Sequence, residues 1–207
     1  MMTDVTGVLL AGGKSRRMGG DKRFLLVGGH TLLEWSLAAL RSLFQTVLVV
    51  IAQDSPPLKA DVPVLRDLVQ GCGSLGGLYT GLQQAPTEHV FVAACDMPFL
   101  DPAVIRYMAG FRTEADLVMA SYGNKLHPTH ALYGRRCLPV VEEMIEARRV
   151  KIQELVAHPS LRVRLITEAE LEPIDPEGRS FLNVNRPSDL ETVRKLLADT
   201  SGPSSAQ

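Results

Sequence analysis

With 207 residues, 45% of them hydrophobic and 22% charged, the chain has the composition of a water-soluble globular protein and the length of one α/β unit. Its formal net charge of −1 offers no broad positive field for nucleic acid, and no apolar run approaches the ~18 residues that a membrane span needs. Cys72, Cys95 and Cys137 are too widely spaced for a CxxC metal site or a disulfide framework, and the Met-Met-Thr-Asp start lacks a basic segment followed by an apolar signal, so the expected compartment is the cytoplasm.

Continuous apolar runs at 4–10, 46–52, 62–67 and 89–96 read as strands buried on both faces. Helical spacing at 31–44, 74–85 and 102–111 separates or follows them. Strand and helix alternating at this cadence predict right-handed crossovers and a Rossmann-like, doubly wound three-layer α/β sandwich with a mostly parallel sheet. In the second half, 115–123 and 126–134 pair as an antiparallel hairpin around Gly123-Asn124, an addition to that sheet. Helices are expected at 135–148 and 151–157, strands at 161–167 and 180–185, and a closing helix at 186–198 with Pro187 in its first turn. Residues 1–198 then form a single domain, and 199–207 a disordered tail too polar to bury itself.

The first strand runs into "LLAGGKSRRMGGDK", residues 9–22. Glycines let backbone N–H groups point at an anion, and Lys14, Arg16, Arg17 and Lys22 supply charge, which together suggest a polyphosphate cradle. A Walker A loop is rejected, because Gly13-Lys14-Ser15 would need glycine where Val8 stands. "GCGSLG" at 71–76 is a literal GxGxxG, but Asp67-Leu68-Val69-Gln70 intervenes before the glycines and the richer cationic loop already holds the first turn, so nicotinamide chemistry is set aside.

Ligands of open parallel sheets lie beyond the carboxyl ends of the strands, where Asp67 and Asp96 both fall. Asp96 suits a hard cation held by a carboxylate plus substrate phosphates, and Asp67 suits a ribose or base; each also suits a helix cap. Asn183 and Asn185, two apart in the expected strand 180–185, suit a substrate or a metal's hydration shell, or turn chemistry before Pro187. His127 and His130 lack a third ligand for zinc, and Cys95 reads as a small buried hydrophobe.

"LLAGGKSRRMGGDK", "DLVQGCGSLGGL", "CDMPFL" and "FLNVNRPSDL" together resemble the four signatures of the molybdenum cofactor guanylyltransferases, the MobA family, within the nucleotidyltransferase-like fold. The resemblance spans residues 9–190. It implies transfer of GMP from GTP to molybdopterin with Mg²⁺ and release of pyrophosphate. It further implies that the backbone of Leu10, Ala11, Gly12 and Gly13 meets the guanine nucleotide, that Lys22 and Arg17 meet its phosphates, that Asp67 meets the nucleoside, and that Asp96 binds both nucleotide and Mg²⁺. Asn183 and Asn185 fall on the pterin side. Gln53 stands where members often carry asparagine, and Ser74 where proline is usual. Rival readings are a CTP-dependent sister enzyme or another small nucleotidyltransferase, and a non-catalytic nucleotide-binding module that assists cofactor insertion. The basic, partly apolar region 135–166 is either a docking face for such cofactor-inserting partners or a solvated helix surface.

Overall fold

The computed structural model describes residues 1–12 and 21–200. Its strands are β1 (Met2–Leu10), a short antiparallel pair β2 (Leu26–Val27) and β3 (His30–Thr31), β4 (Phe44–Ile51), β5 (Val64–Arg66), β6 (His89–Ala94), β7 (Leu117–Tyr122), β8 (Lys125–Gly134) and β9 (Val163–Thr167). Among the described residues seven of them form one sheet in the order β5-β4-β1-β6-β8-β7-β9. Neighbours are parallel except at β8, which runs against both β6 and β7. The helices are α1 (Leu32–Leu43), α2 (Gly73–Gln84), α3 (Pro102–Ala109), α4 (Leu138–Glu146), α5 (Glu168–Leu171) and α6 (Pro187–Thr200).

The central strands are apolar on both faces because each face carries helices. Along β1, Val5 and Leu9 enter one core with Leu37 and Leu40 of α1 and Ile105 and Met108 of α3. Val8 and Leu10 enter the other, with Leu78 and Leu82 of α2 and Val141 and Met144 of α4. The period of two within a strand thus sorts side chains between two layers. A third, smaller cluster packs Leu190 and Val193 of α6 against Val27, Leu32 and Val184, and so ties the closing helix to the β2–β3 pair.

The hairpin turn forms as expected: Gly123 and Asn124 both have positive φ (57° and 56°), the twist that matches a two-residue connection. Pairing of β7 with β8 then jumps from Ala120↔His127 to Met119↔Ala131, leaving Pro128, Thr129 and His130 as a bulge on that side. Proline, with no N–H to give, fits there.

Three expectations need correction. Residues 180–185 are not a strand: Ser180 N–H donates to Asp175 Oδ2 (2.9 Å) and Val184 N–H to the Asp96 carbonyl (2.8 Å), so donors that a ladder would use are spent on loop acceptors. The segment 151–157 is a 3₁₀ rather than an α-helix, over Ile152–Ala157, burying Ile152 and Leu155. The closing helix runs to Thr200, two residues into the expected tail, and the rest of that tail lies outside the described residues.

Helix α2 lies close on β1. A Cβ built on Gly81 would stand 2.9 Å and 3.1 Å from the two Cγ atoms of Val8, a stiff, fully buried side chain. Gly81→Ala would gain about 1 kcal/mol of helix propensity but incur roughly 1–3 kcal/mol of overpacking, and the rigid neighbour decides the sign. The expected result is a melting temperature lowered by about 2–4 °C per kcal/mol of net loss, read by differential scanning calorimetry.

Candidate functional site

The parallel ladder draws four strand ends together. Cys95 N–H donates to the Leu10 carbonyl (3.1 Å), Ala11 N–H to the Val50 carbonyl (2.8 Å) and Asp67 N–H to the Ile51 carbonyl (2.8 Å). The chain therefore leaves β1, β4, β5 and β6 at one edge. β4 and β5 lie on one side of β1 and β6 on the other, which makes this edge the topological switch point where open sheets hold ligands. At Gly12 the exits of β1 and β4 nearly touch, since a Cβ would lie 3.0 Å from Ala52 N.

A cleft of about 610 Å³ opens between these exits, with Leu10, Gly12, Gln53, Asp67, Gly71 and Ser74 in its wall. Asp67 is half-buried there. Removal from water pushes its carboxyl up from 3.8 to about 6, against a weak opposing hydrogen bond from Thr80 Oγ1 (3.4 Å). Gln53 is tied down, its Nε2 donating to the Asp67 carbonyl (2.9 Å). Leu10 and Ala11 spend their backbone carbonyls inside the fold, on Cys95 and on Arg23 Nη1 (3.4 Å) respectively.

Beyond the end of β6 stands a second cluster. Lys22 Nζ lies 2.6 Å from Asp96 Oδ2 and 3.3 Å from Asn185 Oδ1. Asp96 is 8% exposed, and its carbonyl anchors Val184, so the segment bearing both asparagines docks beside the carboxylate. Asp189 Oδ2 fixes the same segment from below by accepting from Asn185 N–H (2.9 Å) and Arg186 N–H (2.8 Å). The expected strand geometry is absent; Asn185 still meets Lys22, whereas Asn183 has a buried Oδ1 with no hydrogen-bond partner among the described residues. Gly13 and Arg17, together with Lys14 and Arg16, lie outside the described residues.

Cys95, 3% exposed, has its thiol pushed up to about 12 by burial, which removes it as a nucleophile. His130 is fully buried, and desolvation lowers it to about 4; its ring packs edge-on to Phe91 and against Phe181. Both are core residues.

Sequence reasoning missed Asp21 and Arg23, which also line the cleft. Arg23 is 4% exposed, and its guanidinium grips the Asp21 carboxylate through Nε (2.9 Å to each oxygen) and Nη2, holding that carboxyl below its usual range. The alternation Asp21-Lys22-Arg23 was the available signal, yet only the lysine stood out beside the glycines.

No group of three or more His, Cys, Asp or Glu side chains among the described residues is arranged as a metal cage. One nearly buried carboxylate at a strand end is the kind of donor that a hard cation can share with phosphate and water. The chemistry available is electrostatic: a lysine, a carboxylate and a cleft of nucleoside size at one sheet edge.

The family model described as the MobA-like NTP transferase domain matches residues 7–163. A probable molybdenum cofactor guanylyltransferase of Pelotomaculum thermopropionicum is 34% identical over 97% of this chain and 96% of its own. A molybdenum cofactor guanylyltransferase of Desulfosudis oleivorans is 36% identical over 95% and 97%. The crystal structure of molybdopterin-guanine dinucleotide biosynthesis protein A from Archaeoglobus fulgidus superposes with a TM-score of 0.82 at 26% identity, covering 94% of this chain and 99% of that one. With a match that runs from β1 to the first residue of β9, and relatives aligned along nearly their whole length, the chain belongs to the family of MobA-like NTP transferases, enzymes that transfer nucleotidyl groups.

Proposed function

We propose that the protein transfers GMP from GTP to molybdopterin, forming the guanine dinucleotide form of the molybdenum cofactor and releasing pyrophosphate. The observation that carries the reading is Lys22 set against Asp96 and Asn185 at the switch point, beside a nucleoside-sized cleft. The guanylyltransferase names of relatives aligned along the whole chain support the choice of nucleotide and acceptor.

The nucleoside lies in the cleft against Gly12, Gln53 and Asp67, with the triphosphate directed toward Lys22. An oxygen of the acceptor's terminal phosphate attacks the α-phosphorus; the new P–O bond forms as the bond to the bridging oxygen breaks, and pyrophosphate leaves with that oxygen. No protein nucleophile is required, in keeping with the inert Cys95. Asp96 would hold Mg²⁺, which when bound neutralises phosphate charge. Lys22 offsets charge on the α-phosphate and the leaving group, and Arg17 does so from the first loop. Asn183 and Asn185 orient the acceptor. Catalysis is then alignment and charge stabilisation.

Lys22→Ala is expected to lower kcat by roughly 10²-fold, the scale of one preorganised electrostatic group, and Asp96→Ala to remove turnover with the fold intact. Both are read by pyrophosphate release, with circular dichroism as control. In thermal unfolding, GTP with Mg²⁺ at 100 times its dissociation constant adds about 2.7 kcal/mol of stability. A larger shift with CTP than with GTP would move the assignment to cytidylyl transfer, and full turnover by Asp96→Ala would overturn the metal assignment.

Asp67 supplies a pH test. Its folded-state pKa, about 6, lies above the unfolded value of 3.8, so its contribution to stability is complete below pH 3.8 and is lost as pH rises through 6. The parent should therefore lose stability between about pH 4 and 6.5, and Asp67→Asn should flatten that decline. In the parent, GTP affinity should rise over the same interval as the carboxylate forms to accept from the nucleoside, and Asp67→Asn should abolish that rise in isothermal titration calorimetry.

A further inference from the structure

We propose that Arg66 is a positioning residue for the nucleotide, fixing from outside the loop that forms one wall of the cleft; the inference rests on the nucleotide reading above. Arg66 is the last residue of β5, paired with Ile51 at the end of β4. Its side chain reaches back over the loop that follows β4. There a single nitrogen, Nη1, meets three backbone carbonyls: Gln53 at 2.6 Å, Ser55 at 3.0 Å and Ala52 at 3.4 Å. Three carbonyl dipoles converging on one point repel one another unless a cation lies between them, so the loop depends on that guanidinium for its shape.

The same loop, from Ala52 to Pro56, lines the cleft, whereas Arg66 itself is exposed and does not. Ala52 also backs Gly12, and the Gln53 side chain is latched to the Asp67 carbonyl. One guanidinium thus connects the exits of β1, β4 and β5 without touching the ligand. Among the described residues Arg66 makes no ion pair, and its bonds all go to carbonyls. Holding the loop in its bound shape before the nucleotide arrives lowers the ordering cost of binding and leaves the chemical step alone.

The test uses the full chain with Arg66→Ala and Arg66→Lys. The alanine variant should raise the dissociation constant of GTP, and its KM, by roughly tenfold, the scale of one charged hydrogen-bonding group, with kcat at saturation within about twofold of the parent. Because the bonds converge on one nitrogen, an ammonium with three N–H donors can stand in, and Arg66→Lys should bind GTP within about threefold of the parent. In the nucleotide-free protein, amide hydrogen exchange over residues 53–55 should quicken in the alanine variant and not in the lysine one. A GTP dissociation constant within twofold of the parent for Arg66→Ala, a lysine variant as weak as alanine, or unchanged exchange over 53–55 would each overturn the inference. A parent protein that ignores GTP in the same titration would overturn the proposed function instead, while the exchange arm still judges the brace.

Discussion

The parallel register of β1 against both its neighbours is the constraint from which the site follows. Leu10 pairs with Val50 on one side and Ala94 on the other, so three strands stop at the same level. That common level brings Gly12, Asp67 and Asp96 to one edge although they are far apart in the chain. A slip of one residue in β1 would exchange Val8 and Leu10 with Leu9 between two differently packed cores, so the packing that stabilises the sheet also fixes where β1 ends and Gly12 stands.

A protein with a net charge of −1 can hold a polyanion only by concentrating its cations. Here each described cation around the site is restrained by a neighbour. Lys22 rests on Asp96, Arg23 is clamped by Asp21, and Arg66 is encircled by carbonyls. Side chains already held in place surrender little freedom when a ligand arrives, as the proposed catalysis by alignment requires.

Much of this was legible in the sequence because burial on both faces leaves unbroken apolar runs. β1, β4 and β6 declared themselves in that way, and Asp67 and Asp96 stood out as acids ending such runs. The hairpin was legible from Gly123-Asn124, whose backbone twist few other pairs adopt. What misled was "SFLNVN", whose apolar Phe181 and Val184 are buried as in a two-faced strand; their burial comes instead from a tight turn and from docking on the Asp96 carbonyl. Arg23 and Arg66 escaped notice because a basic residue in a charged stretch looks solvated until the fold shows which carbonyls surround it. The pairing of Arg23 with Asp21 is local, but its contact with the Ala11 carbonyl and those of Arg66 with residues 52, 53 and 55 arise from the fold, and no local pattern records them.

The antiparallel strand has a consequence for how the chain comes to be folded. β6 is complete at Ala94, but its second partner, β8, spans Lys125–Gly134 and enters between β6 and β7. Until those residues are available, the β6 edge, with Val90, Phe91 and Val92 fully apolar in sequence, presents unpaired backbone to its surroundings. Strands β1, β4, β5 and β6 can assemble earlier as a parallel core, yet they do so with a sticky flank on the very strand that leads into Asp96. Closure of that flank by β8, a pairing some 40 residues away in the chain, is a non-local step of the kind that slows folding, and it covers the growing sheet against other chains at the same moment that it joins the edge ending in Asp96 to the rest of the molecule.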